Sequence, residues 1–211
     1  MRRWPGLVFF CWMVLTSATV FAGAYEDMLA AVAMKDTDRV NSMLRRGMDP
    51  NTSDPLGNTL LMLAARNGDL HTLELLLRSG ANIQKRNRYK DTALMLAAYQ
   101  GDLQCVTALV VAGAEIDPEG WTPLMYASFE GHADIVRYLL LRDIDIDAQS
   151  ETGTTALMAA SRNNHIEIVK ILIEHNADTK LVNQDKRMAL DLAVAAGHKE
   201  IATVLKAIEE R

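Results

Sequence analysis

The sequence predicts an all-α solenoid of about six helix-turn-helix units, stacked in a row and joined by short inter-repeat β-hairpin loops. Three observations predict it. The segment Leu61 to Asp69 returns 33 residues later as Leu94 to Asp102, with only Arg66 and Asn67 changed, to Tyr99 and Gln100. Within each unit the apolar residues show helical spacing twice, as in Leu124, Met125 and Ala127 before Gly131 and Ile135, Val136, Leu139 and Leu140 after it. Gly47, Gly80 and Gly113 close the second helices at the same period, where a left-handed backbone suits glycine. A single unit cannot bury its own apolar stripe, so the units must stack.

Each element follows in chain order. Arg2 and Arg3 precede an uncharged apolar stretch, Leu7 to Val20, and Ala22-Gly23-Ala24 supplies small residues at a cleavage site. Residues 1–24 therefore read as a signal peptide released after Ala24. An uncleaved inner-membrane anchor is the alternative, since no further charge appears until Glu26. Thr16, Ser17, Thr19 and Gly23 dilute the run below a good spanning helix. The array fills 25–211, with units near 25–53, 54–86, 87–116, 117–149, 150–182 and 183–211. Repeat 1 is partial, with Met28, Ala31, Met43, Leu44 and Gly47 in register. Thr59, Thr92, Thr122 and Thr155 open the first helices of repeats 2 to 5, and repeat 6 runs through Leu190, Ala193, Gly197, Ile201 and Leu205. Asp143 and Asn176 stand where the other second helices end in glycine, and both tolerate a left-handed backbone. Arg39 and Lys206 put polar residues on the outer faces of the end repeats, as expected of caps on one complete array.

This pattern resembles the ankyrin repeat, and in particular the exported ankyrin-repeat proteins of bacteria. The family motif Asp-x-x-Gly-x-Thr-Pro-Leu-His is nearly met by Asp117-Pro118-Glu119-Gly120-Trp121-Thr122-Pro123-Leu124-Met125, and its Gly-His turn by Gly131-His132 and Gly197-His198. The resemblance covers about residues 26–208. It implies a cupped shape, with inter-repeat fingers and a concave palm lined by the first helices, and a protein-binding role. Two departures stand out. Met62, Met95, Met125 and Met158 replace the family's histidine, and a thioether cannot donate the hydrogen bonds of an imidazole, so those loops must close by packing and backbone pairing. The spacing from Thr92 to Thr122 is 30 rather than 33, and the missing three residues fall between Gly113 and Asp117, shortening the finger between repeats 3 and 4.

Composition narrows the function. Without its leader the chain keeps 20 basic against 27 acidic residues, a net charge of −7, which argues against nucleic acid and against an anionic membrane surface. The membrane is then met only in passing, through the signal peptide. Lys85, Arg86, Arg88 and Lys90 form the one basic cluster, read as a solvated finger or as a steering patch for an acidic partner. One cysteine, Cys105, remains after cleavage; it takes the place of Ile135 and reads as a small buried hydrophobe. Export with so little cysteine points to a bacterial periplasm.

Chemistry is sparse. His132, His165 and His198 recur by register and read as helix-start or turn partners. No phosphate loop, zinc spacing or nucleophile elbow is visible. Asp143, Asp145 and Asp147 lack the later glycine and glutamate of a calcium loop and read as a descending finger segment. Thioethers suit Cu(I), but repeats about 10 Å apart cannot bring four methionines to one ion. No enzyme activity, cofactor or metal is expected, although a small-ligand or metal-dependent role through the methionines or histidines stays open.

The palm positions by register are Leu63, Arg66, Asn67, Leu96, Tyr99, Gln100, Tyr126, Phe129, Glu130, Ala159, Arg162 and Asn163; the finger tips are Asn58, Tyr89, Lys90, Trp121 and Thr154. Five aromatics, Tyr89, Tyr99, Trp121, Tyr126 and Phe129, gather on repeats 3 and 4, beside the short finger. Aromatic side chains dominate binding hot spots. The expected function is a monomeric, non-catalytic protein-interaction module, holding a partner on the concave face through these five with Arg66, Arg88, Lys90 and Glu130. An inhibitor or immunity protein that plugs an enzyme's active site is the alternative. The rings could instead pack on each other to compensate for the shortened hairpin.

Overall fold

The computed structural model describes residues 23–209, with side chains to 208. The predicted leader lies outside the described residues, apart from Gly23 and Ala24, which begin the first helix. Among the described residues there are twelve helices: α1 (23–33), α2 (Thr37–Arg45), α3 (Leu60–Arg66), α4 (Leu70–Arg78), α5 (Ala93–Gln100), α6 (Leu103–Val111), α7 (Pro123–Glu130), α8 (Ala133–Leu140), α9 (Ala156–Arg162), α10 (Ile166–Glu174), α11 (Ala189–Ala195) and α12 (Lys199–Glu209). They pair into six antiparallel hairpins. The odd-numbered inner helices pack in succession, α3 on α5, α5 on α7, α7 on α9 and α9 on α11; the outer helices follow the same order. The fold is a helical solenoid.

Small residues let the inner helices approach. Ala31, Ala64, Ala97, Ala127, Ala160 and Ala193 occupy one column of the repeat, and every one is fully buried. Without a side chain beyond Cβ, a helix of seven or eight residues can lie almost backbone to backbone on its neighbour. Leu61, Leu94, Leu124 and Leu157 then fill the space toward the outer helices, whose Leu73, Val106, Val136 and Val169 close the core.

The ends of the helices are set by short-range hydrogen bonds. Thr59, Thr92, Thr122 and Thr155 each accept the N–H of the methionine three residues on, at 3.2–3.3 Å. The methionines do more than pack. Met62 Sδ accepts the N–H of Thr59 at 3.3 Å and Met95 Sδ that of Thr92 at 3.2 Å, closing a reciprocal cap with sulfur in the place usually held by a carboxylate. In repeat 6 a carboxylate stands in this column, and Asp191 accepts the N–H of Met188 at 2.9 Å.

The outer helices begin in two ways. Asp36, Asp69 and Asp102 cap α2, α4 and α6 by accepting the N–H of Arg39, Thr72 and Cys105. The histidines of repeats 4 to 6 do not cap their own helices, contrary to the sequence expectation. Each imidazole reaches back to the previous repeat, where Nε2 meets the carbonyl oxygen of Tyr99 (His132, 3.0 Å), Phe129 (His165, 2.9 Å) or Arg162 (His198, 3.0 Å). These carbonyls lie at the end of an inner helix, where no intrahelical N–H is left to satisfy them. An aspartate is too short and carries no donor, so the aspartates of the earlier repeats cannot make this bolt. The glycine between the helices makes room for it. A Cβ on Gly131 would stand 2.6 Å from Cε1 of His165, and Gly131 also holds φ at +94°.

Three further expectations are corrected. No hairpin strands form among the described residues; the fingers are tight turns with one isolated antiparallel bridge, Ser53 to Thr59. Asn176 is left-handed at φ +65°, but Asp143 is not. Where Gly80, Gly113 and Asn176 let the next N–H turn back onto the helix, repeat 4 uses a side chain: the Arg142 guanidinium donates to the Tyr138 carbonyl and lies 3.5 Å over the Tyr138 ring. Finally, Leu63 and Ala159, placed on the exposed palm by register, are buried, Leu63 as part of the hydrophobic core and Ala159 in the lining of a cleft it shares with Trp121 and Phe129.

Gly131→Ala should destabilise by about 3 kcal/mol, combining left-handed strain with the clash on His165, whereas Gly197→Ala, with open space around it, should cost only about 1–2 kcal/mol; denaturant midpoints compare the two. Ser128 and Ser161 stand in the column of Ala65 and Ala98, fully buried with unpartnered hydroxyls. Replacing both by alanine should stabilise the chain by about 1–3 kcal/mol and raise Tm by several degrees in calorimetry.

Candidate functional site

The fingers form a second column of interactions, built on one residue. Asp54 Oδ1 accepts the N–H groups of Leu56 and Asn58, each at 2.9 Å; Asn87 Oδ1 accepts those of Tyr89 and Asp91, also at 2.9 Å; Ser150 Oγ accepts those of Thr152 and Thr154 at 3.3 and 3.1 Å. Asn183 accepts the N–H of Arg187 at 3.0 Å. The tip of each finger is left-handed, at Gly57, Lys90, Gly120, Gly153 and Lys186. Neighbouring fingers are tied by backbone bonds, Arg88 N–H to Leu56 O and Gln184 N–H to Thr152 O, each at 3.0 Å.

The finger of repeat 4 breaks this column. From Gly113 to Asp117 there are four steps where the neighbouring repeats take seven, so the finger starts lower. Asp117, the turn residue by register, spends its carboxylate elsewhere, accepting the N–H of Asp145 at 2.7 Å. Burial, with Asp145 and Asp143 nearby, holds its acid above the ordinary aspartate range despite that hydrogen bond. Pro118 stands where Arg88 and Gln184 donate to the finger before, and proline has no N–H to give. Among the described residues finger 4 therefore carries neither the turn bonds nor the backbone ties of its neighbours. Lys90 of finger 3 and Glu151 of finger 5 meet directly across the gap, and the Lys90 ammonium, through this hydrogen bond and its charge, holds the Glu151 acid below the usual carboxylate range.

Trp121 anchors the low finger. Its indole lies 5.1 Å from the ring of Tyr126 and 6.0 Å from that of Phe129, and Tyr99 meets Tyr126 edge-on at 5.9 Å. The Tyr126 hydroxyl donates to Asp91 Oδ1 at 2.6 Å; burial first, then this carboxylate, raises the phenol well above its ordinary range. The four rings thus pack on one another, yet Tyr99 keeps 43 % of its surface exposed and Trp121, Tyr126 and Phe129 are half-buried. Tyr89 stands apart on finger 3, 69 % exposed.

The other expected contact residues divide. Arg66 is exposed on the palm near Asp54, whose carboxyl burial would raise; hydrogen bonds from Asn58 and Leu56, with the Arg66 charge, outweigh that and hold it low. Arg88 is exposed and Glu130 half-buried. Lys90 is engaged by Glu151, and Arg86 by Glu115 at 3.6 Å, so half of the expected basic cluster is already neutralised. Asn58 is not a finger tip: it is buried, held between Asp54 and Asn87 at 2.8 Å each. Asn67 and Asn163 are bolts as well as palm residues, donating to the Val32 and Phe129 carbonyls of the preceding repeats.

The largest shaped hollow beside the ring cluster lies toward repeats 5 and 6. This cleft of about 320 Å³ is walled by Trp121 and Phe129 on one side and by Thr154, Arg162, Asn183 and Arg187 on the other. Arg187 is a wall residue the sequence reading does not include, although register carries the signal: it occupies the column of Asn58, Asp91, Trp121 and Thr154. A smaller hollow of about 150 Å³ lies under the Lys90–Glu151 bridge. Among the described residues no helix is long and apolar enough to cross a membrane. The sequence matches the family described as ankyrin repeats in three overlapping stretches, 28–119, 61–150 and 139–210. No curated protein matches the chain.

Cys105 is fully buried in α6, and burial, reinforced by Asp102, pushes its thiol up to about 12. A thiol reagent at pH 8 should therefore label Cys105 in the native protein only as fast as the fold opens, with its reaction completed at once in denaturant.

Proposed function

We propose a protein-capture role for this chain, which belongs to the ankyrin-repeat family on a match that spans most of its length. Ankyrin repeats generally serve as protein-interaction modules. In this reading the chain is a non-catalytic, monomeric scaffold that docks a partner protein on its concave face, centred on repeats 3 and 4. A periplasmic site of action, reached through the leader at 1–24, belongs to the same proposal.

The observation that carries the reading is the cluster of Tyr99, Trp121, Tyr126 and Phe129 around a finger that, among the described residues, has no backbone hydrogen bond to the fingers beside it. The three-residue shortening and Pro118 fall beside this part of the palm, and its rings are aromatic and partly exposed. Rigid rings offer contact area at small entropic cost, so a partner placed here gains more than on the polar palms of repeats 2 and 5.

Pull-down from a periplasmic extract tests this. Trp121→Ala with Tyr126→Ala should weaken capture of the wild-type partner by at least about tenfold, the hot-spot scale for a large ring. Tyr99→Ala, which removes an exposed ring, should weaken it with the melting temperature unchanged. Full capture by a folded Tyr99→Ala protein and by the double variant would overturn the proposal.

A further inference from the structure

The cleft beside the ring cluster has a chemistry of its own. Arg162 projects from the end of the inner helix α9 and is exposed, with no ion-pair partner among the described residues. Arg187 lies across from it on finger 6, held by Asp185 at 2.6 Å. The two guanidiniums line both this cleft and the next hollow along the palm, so they mark the wall between the two. Opposite them stand the indole of Trp121 and the ring of Phe129. One carboxylate, Asp185, faces two guanidiniums, so the cleft carries one uncompensated positive charge in a chain whose net charge is −5.

We infer that the cleft receives an aspartate or glutamate side chain of the partner protein, placed on Arg162 and Arg187, with an adjoining large apolar residue of the partner against Trp121 and Phe129. The inference rests on the concave-face reading and adds the kind of sequence that face selects. A guanidinium presents a planar fork that matches a carboxylate in two parallel hydrogen bonds, which an ammonium cannot do. The aromatic wall supplies the apolar half of the recognition and lowers the local dielectric, which strengthens the charged half. Thr154 adds a hydroxyl at the rim for the partner's backbone. Specificity follows from the pairing: an apolar peptide leaves Arg162 uncompensated under a covering partner, and an acidic peptide without a large neighbour leaves the rings wet.

Panning a phage-displayed library of random nonapeptides on the full chain tests this. Peptides selected by the wild type should carry aspartate or glutamate next to a large apolar residue. Synthesised singly, they should bind Arg162→Gln about tenfold more weakly and lose a similar factor when their own acid is changed to the amide. Arg162→Gln changes an exposed side chain and leaves the backbone carbonyl that His198 uses, so the variant folds. Selected peptides without an acidic excess, no selection above background, or an acidic excess that survives Arg162→Gln would each overturn the inference. The two proposals separate cleanly. Peptides lost by Trp121→Ala with Tyr126→Ala but indifferent to Arg162→Gln leave the concave face standing and remove only the carboxylate. Peptides indifferent to both sets of changes remove the concave face as well.

Discussion

The stack depends on how closely the inner helices approach. Six alanines in one column, from Ala31 to Ala193, are buried without exception, and they are what lets each short helix lie against the next. Helices of seven to nine residues are unstable alone, so their hydrogen bonds survive only because tertiary packing replaces the stability that length would give. Everything else in the molecule is arranged around that contact: the left-handed glycines that turn the chain back, the threonine caps that start each inner helix, and the histidines that reach across to the preceding repeat.

Because the helices hold the stack, the fingers do not have to. Fingers 2 and 3, and fingers 5 and 6, are tied by backbone bonds, but the array remains continuous through repeat 4, where such ties are missing among the described residues. One repeat can thus be altered on its finger side at little cost to the core. Repeat 4 shows several alterations together: a descending segment three residues short, a proline where a donor should be, a turn residue diverted to Asp145, and an outer helix closed by Arg142 instead of a left-handed residue. The aromatic cluster sits on this repeat and its neighbour. Structure departs from the repeat pattern where the sequence invests its rings.

Much of this is legible in the sequence, because a repeat compares every residue with its counterparts. Period, helix pairing, cap residues and the place of the short finger all follow from register. What register does not carry is which way a side chain reaches. His132 sits where Asp102 sits, so it reads as another helix cap, yet its longer ring finds an unsatisfied carbonyl one repeat back. Asn58 shares its column with Trp121 but is drawn inward by Asp54 and Asn87. Leu63 and Ala159 hold palm positions and are nonetheless buried. The methionine column reads as packing and backbone pairing in place of an imidazole; at Met62 and Met95 the sulfur proves to be an acceptor as well, taking the Thr59 and Thr92 N–H groups. Arg187 shares a column with Thr154, but only the fold brings it across the cleft from Trp121.

Amide hydrogen exchange across repeat 4 tests the central claim most directly, that packing of inner helices carries the stack while finger 4 lacks the turn bonds and backbone ties of its row. The account predicts that the interior amides of α7, 126–130, exchange only with global unfolding, as those of α5 and α9 do, while Glu119 and Gly120 exchange orders of magnitude faster than their counterparts Tyr89, Lys90, Thr152 and Gly153. Equal protection of all these finger amides, or early opening of α7 together with its finger, would contradict it.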